Sequence, residues 1–346
     1  MNDAATATPD GPDPAGVAIP AVVAPIVAVA GDHVPPLLGR IERRLRQVAA
    51  PGAASDPLDA AGAATVAAGG KRLRPLLALV VAGPAITADP AAQDAIVRAG
   101  VALELTHTAT LVHDDVLDAA ALRRGRPTTF HAHGRAAATC LGDALFAAAF
   151  GELAGGDDER AVRVLAAASR ALAQGELLQR ADAWRADVGE DRYMTRCRLK
   201  TGALFDAAAR LGALVAGNEP EAFAAFASAV GVAFQLFDDV LDVVGPPEVT
   251  GKPRGTDLLD GTATLPLLVA RERDEQLRAL DVRSIVTPEQ AAAVCDRIVA
   301  CGATDETERR ARALVEDALA ALPTALDDGR EGALRLIARG VVDRRL

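Results

Sequence analysis

Aromatic residues are nearly missing from this chain of 346 residues: 3%, as eight Phe, one Trp and one Tyr. That scarcity argues against stacking platforms for single-stranded nucleic acid. An excess of positive charge is missing too. Lys and Arg total 37 against 47 Asp and Glu, a formal net charge of −10. A general binder of phosphate backbones is therefore excluded, and no nucleic-acid partner is expected. Any anion must be held by a local basic cluster. Cysteine is sparse: Cys140, Cys197, Cys295 and Cys301 show no CxxC spacing. They read as buried, reduced thiols of a cytoplasmic protein, not zinc ligands or a disulfide frame. No secretory leader is expected, because the apolar stretch 17–30 holds Pro20 and Pro25 and follows Asp3, Asp10 and Asp13 without a single Lys or Arg. No run is expected to be apolar and long enough to span a bilayer. Strand-like alternation is absent.

What is present is half apolar and 24% charged, enough for a large core. Residues 1–35, rich in Ala, Pro, Asp and Thr, read as a disordered tail closed by Pro35 and Pro36. From Leu37 onward the text is almost continuously helix-forming. Leu37, Leu38, Ile41 and Leu45 form a one-sided stripe. Glycine and proline breaks divide the rest into roughly ten to thirteen helices, with Asp56, Thr87, Asp157 and Thr287 placed as N-caps. The expectation is one all-α domain over 36–346.

Two aspartate pentads carry the chemistry: Asp114-Asp115-Val116-Leu117-Asp118 and Asp238-Asp239-Val240-Leu241-Asp242. Each closes a mostly apolar helical stretch. On a helix, positions i and i+4 face the same way, so Asp114 pairs with Asp118 and Asp238 with Asp242. Like charges at that spacing destabilise a helix and call for a cation. Ligands that are all oxygen suit Mg²⁺. Acidic caps on solvated faces would account for one pentad, but hardly for two near-identical ones.

The basic residues are as selective. Only three of the 37 are lysines, Lys71, Lys200 and Lys252. A compact ammonium is wanted where a planar fork does not fit. Each lysine sits in a distinctive context, and Arg123-Arg124 follows the first pentad closely. Mg²⁺, lysine and arginine converging on an apolar cavity make a diphosphate site. His107, seven residues before Asp114, shares its helix face and reads as a further diphosphate contact rather than a satisfied core histidine.

The motifs, taken in order, resemble the trans-isoprenyl diphosphate synthases of the polyprenyl synthetase family. They are GGKRLRP (69–75), ELTHTATLVHDDVLDAAALRRGRPT (104–128), LGDALF (141–146), GELLQ (175–179), LKTGALF (199–205), GVAFQLFDDVLDVVG (231–245) and GKPRGTDLLDGTATLP (251–266), with VVDRR (341–345) near the end. The resemblance implies a single-domain bundle of antiparallel helices around a deep central cavity, a homodimer, and head-to-tail condensation of isopentenyl diphosphate onto an allylic diphosphate. It implies three Mg²⁺, held by Asp114, Asp118 and Asp238 with Asp242 in support. Arg123, Lys200 and Lys252 would contact the allylic diphosphate, and Thr201 and Gln235 would face its carbons. Lys71, Arg74, His107 and Arg124 would hold isopentenyl diphosphate. Thr262 departs from the family pattern, which often has Lys there. If another cation takes over that contact, Arg254 on the same loop is the nearest candidate in sequence.

A non-catalytic partner subunit would have lost a pentad or the basic set. A terpene cyclase would lack GGKRLRP. Short-chain relatives block the product tunnel with a bulky residue four or five positions before the first aspartate, where this chain has Thr110 and Ala109. The reading is therefore a medium- or long-chain all-trans product, with a floor at Phe150 or Phe146, geranylgeranyl or farnesyl product being the alternative. Peripheral membrane contact for product release goes with a long product.

Overall fold

The computed structural model describes residues 20–49, 57–67, 69–123, 125–185, 187–246, 253–324 and 326–343. Arg124 and Lys252, both expected at the diphosphates, lie outside the described residues, as do Asp56 and residues 1–19.

The architecture is all-α. In chain order its first ten helices are α1 (Ala24–Ala30), α2 (Val34–Ala49), α3 (Pro57–Ala67), α4 (Leu73–Ala82), α5 (Pro90–Leu117), α6 (Thr129–Ala154), α7 (Glu159–Asp182), α8 (Glu190–Cys197), α9 (Ala203–Val215) and α10 (Ala224–Val244). Short helices such as Thr256–Leu259 and Glu275–Ala279 then lead to the longer Ala303–Ala320 and Asp328–Val342. These short pieces cut the chain more finely than ten to thirteen helices. A two-residue ladder, Leu122–Arg123 against Arg126–Pro127, forms a tight hairpin after the first pentad.

Residues 24–30, expected to lie in a disordered tail, form a helix. α1 buries Ile26, Val27 and Ala30 and packs on the C-terminal helix Asp328–Val342. Pro25 stands in the first turn of α1, and Pro35 and Pro36 in that of α2. First-turn N–H groups have no partner inside the helix, so proline there opens a helix rather than closing a tail. Two expected caps shift as well. Asp158, not Asp157, accepts from Arg160 N–H at the start of α7, and Asp89, not Thr87, caps α5. Thr287 caps its helix as expected, in a reciprocal box with Gln290.

α5 and α10 run through the middle of the molecule. α5 packs along α6, α10 along Ala303–Ala320, and α4, buried at nearly every position, along α9. By length and composition α5, α6 and the stretch Pro220–Val244 could each cross a bilayer, contrary to the reading of the sequence. Their alanine-rich apolar surface instead goes largely into the protein for two of them: the most apolar windows are 72% buried in α5 and 61% in Pro220–Val244, but only 39% in α6.

Candidate active site

α5 earns its length from packing. Asp89 caps it through Ala91 N–H, and most of its later residues are buried. It ends in the first pentad. Asp118 N–H still donates to Asp114 O at 2.8 Å, so the two carboxylates keep the one-turn relation that the spacing predicts. Burial pushes the Asp114 carboxyl up to about 6; Lys200 opposes the shift, while Glu176 and Asp118 add to it. Lys200 Nζ lies 3.7 Å from Asp114 and donates to Glu176. Arg180 donates to Asp118 at 2.5 Å and to Glu176 at 2.7 Å. Burial raises Glu176 as well, but Lys200 and Arg180 outweigh it and hold the carboxyl below its usual value.

Lys200 and Thr201 lie on a π-turn, Arg198–Gly202, between α8 and α9, where Ala203 N–H reaches back to Arg198 O. Such single-turn bulges cluster at functional sites. α7 closes onto this turn at Gly175, where an added Cβ would lie 2.7 Å from Lys200 N.

The second pentad ends α10, and its aspartates part company. Asp238 is exposed and lines the cavity. Asp239 is 2% exposed and accepts from Tyr193 OH at 2.5 Å and from Gln235 Nε2 at 2.8 Å. Burial lifts its carboxyl to about 7 against those two bonds. Asp242 is buried and accepts Asp257 N–H at 3.1 Å, which ties the following loop to α10. Thr201 Oγ1 donates to Gln235 Oε1 at 2.7 Å. Thr201 donates its one proton in this bond, so its oxygen keeps its lone pairs, and the Gln235 amide oxygen keeps one of its two.

One cavity of about 1000 Å³ brings together Lys71, Arg74, His107, Arg123 and Asp238. Arg123 donates to Asp115 at 2.8 Å on its wall. Arg74 sits 4.9 Å over the Phe205 ring, and burial lowers its pKa. Its Nε makes no hydrogen bond among the described residues, which suits an anion yet to arrive. The α5 face toward this cavity includes Glu104, Thr108, Leu111 and Asp115. Ala109, by contrast, is fully buried in the core, Thr110 is half-buried with its hydroxyl on His107 O at 2.7 Å, and Phe150 is half-buried against the core. None of the three is a lining residue of this cavity. Arg254, the candidate substitute for position 262, is not among the residues that line this cavity. It donates to Val243 O at 2.8 Å and to Asp296 at 3.0 Å.

Glu176, Arg180 and Tyr193 are the residues that sequence reasoning left without a role. The GELLQ motif and the i, i+4 spacing of Glu176 and Arg180 were the available signals. Arg72, also unassigned, adopts φ 51° and ties Glu104 at 2.9 Å.

No group of three or more His, Cys, Asp or Glu stands ready-made as a metal cluster among the described residues. The donor set nevertheless fits a hard cation. Asp114, Asp118 and Asp238 offer oxygen alone, and a desolvated Asp114 beside two other carboxylates is stabilised by added positive charge.

The polyprenyl synthetase family model matches residues 55–300. The geranylgeranyl diphosphate synthase of Methanosarcina mazei is 33% identical over 81% of this chain and 87% of its own length. The octaprenyl diphosphate synthase of Escherichia coli is 34% identical over 81% and 87%. Among solved structures, the polyprenyl synthase of Caulobacter crescentus, crystallised with calcium and isoprenyl diphosphate, superposes with a TM-score of 0.81 at 32% identity, covering 96% of this chain and 100% of that one. Family model, relatives and fold agree over most of its length: the chain belongs to the polyprenyl synthetase family.

Proposed function

We propose that the chain condenses isopentenyl diphosphate head-to-tail with an allylic diphosphate, with Mg²⁺, to give a medium- or long-chain all-trans polyprenyl diphosphate. One observation carries this: a single cavity has the basic set Lys71, Arg74, His107 and Arg123 on its wall together with Asp238, and the first pentad beside it. Two diphosphates need such a wall, one to keep and one to lose.

Asp114, Asp118 and Asp238, with Asp242 in support, would hold three Mg²⁺. Bound there, the metal supplies Lewis acidity to the leaving diphosphate. Lys200 and Arg123 add fixed positive charge where negative charge develops, which favours the transition state over the ground state. Thr201 offers its oxygen to the allylic cation without reacting, and Gln235 holds that hydroxyl in place. Lys71, Arg74 and His107 orient isopentenyl diphosphate, and Leu111, Val112 and Phe234 keep water from the cation.

Further readings go with this one. α6 presents Ala136, Cys140, Ala144, Ala147 and Gly151 to solvent at helical spacing, an apolar stripe that supports a homodimer through this helix. Cys197 and Cys295 are buried, as expected of all four cysteines, but Cys140 is exposed and Cys301 half-buried; all four are free, which supports a reducing, cytoplasmic setting. A long prenyl product prefers lipid to water by about 0.8 kcal/mol per methylene, which supports peripheral membrane contact at release.

The test is incubation with labelled isopentenyl diphosphate, an allylic primer and Mg²⁺, followed by chromatography of the products. Polyprenyl diphosphates of six or more isoprene units are expected on the family resemblance. A product of four units or fewer refutes the length, and no condensation refutes the function.

A further inference from the structure

We propose that Arg180 belongs to the diphosphate-binding set of this chain and is held as the counter-ion of Asp118 until a divalent cation takes that carboxylate. The proposal rests on the reading of the pentads as metal ligands.

Five side chains form an alternating row beside the first pentad. Asp118 accepts from Arg180 at 2.5 Å, Arg180 also donates to Glu176 at 2.7 Å, Glu176 accepts from Lys200, and Lys200 lies 3.7 Å from Asp114. Arg180 and Lys200 thus occupy equivalent places: each bridges Glu176 to one pentad aspartate. Lys200 carries a diphosphate role by family motif. Arg180 carries none, yet it stands between the same Glu176 and the other pentad aspartate, and closer to it.

A dication on Asp118 and a guanidinium at hydrogen-bond distance from the same carboxylate repel each other. The guanidinium must give way, and Glu176 remains as its anchor. Nothing has to repack for that, because the Arg180 and Asp118 side chains are 38% and 35% exposed. The backbone around Arg180 stays put. Asp182, 1% exposed, takes two bonds from Arg192 at 2.6 and 2.8 Å, and Trp184 N–H donates to Gly261 O at 2.8 Å. The planar fork released beside the metal is suited to phosphate oxygens, two N–H groups at a time.

Arg180→Gln tests this with two titrations of opposite expected sign. Mn²⁺ binding to the free enzyme, followed by electron paramagnetic resonance, should tighten about threefold, the scale of a half-exposed ion pair. Inorganic diphosphate binding to the Mn²⁺-saturated enzyme, followed by calorimetry, should weaken by about tenfold, the scale of lost hydrogen bonds to a charged group. Tighter metal binding with unchanged diphosphate affinity overturns the proposal, since Arg180 is then only a counter-ion. Weakening of both overturns it too, since Arg180 is then only a support for the pentad. If the wild-type protein binds no Mn²⁺ and condenses no substrate, the functional reading itself has failed.

Discussion

Replacing Tyr193 by Phe removes one oxygen and leaves the ring. That ring is fully buried, and its hydroxyl donates to Asp239 at 2.5 Å. Asp239 is 2% exposed and retains the bond from Gln235 at 2.8 Å. The carboxyl group would lose a donor without gaining water. Leaving a buried acceptor short of a partner costs about 1–3 kcal/mol, with charged groups at the upper end. We expect a loss of ~2 kcal/mol in the unfolding free energy of Tyr193→Phe. Asp239→Asn should recover part of that loss in the double variant, giving a coupling between the two sites of about 0.5–3 kcal/mol. Urea unfolding of the four proteins, with unchanged slope, measures the cycle. Gln235 bridges Asp239 and Thr201, so kcat of Tyr193→Phe should fall while KM for isopentenyl diphosphate holds. Stability within ~0.5 kcal/mol of wild type, the range of an ordinary surface change, would refute the claim that this bond anchors α10 to α8.

Three further outcomes are expected. Gly212→Ala should destabilise: its Cβ would lie 2.4 Å from Ala78 O, backbone of the α4 helix that packs along α9. A free helix position would gain about 0.8–1 kcal/mol from that change, so a raised melting temperature refutes the close approach. Ala109→Phe should leave the product length of the folded variant unchanged, seen by chromatography, at an overpacking cost of about 1–3 kcal/mol, because Ala109 is buried in the core and does not line the cavity; shortened products would put Ala109 on the path of the prenyl chain. Arg254→Ala should leave KM for the allylic primer unchanged, given its bonds to Val243 O and Asp296, whereas Thr262→Lys should lower it; the reverse pattern would return Arg254 to the site.

The pentads were legible because an apolar helix ending in acidic residues is a costly arrangement that few roles explain. The Thr287 cap was legible because its partner stands three residues away. α1 was not, since seven residues around a proline carry no period. The bond between Arg180 and Asp118 joins positions 62 apart in sequence, and only the fold brings them together. That Ala109 packs into the core and not on this cavity was illegible for a different reason. α5 is apolar around most of its circumference, so its periodicity does not say which side meets the cavity and which the core. The partition of the second pentad into one exposed and two buried carboxylates also needed the neighbours: Tyr193, Gln235 and the Asp257 N–H.

The π-turn at Arg198–Gly202 has a consequence for phase. One surplus residue in a helix turns everything beyond it by about 100° relative to an uninterrupted helix. α8 and α9 are thus two helices out of step on one axis. The upstream phase points Tyr193 at Asp239, and the downstream phase lays Leu204, Phe205 and Ala208 into the core. An unbroken helix could satisfy one of these alignments or the other, but not both. Removing a single residue from this turn would therefore act at a distance, on whichever half is made to follow the other.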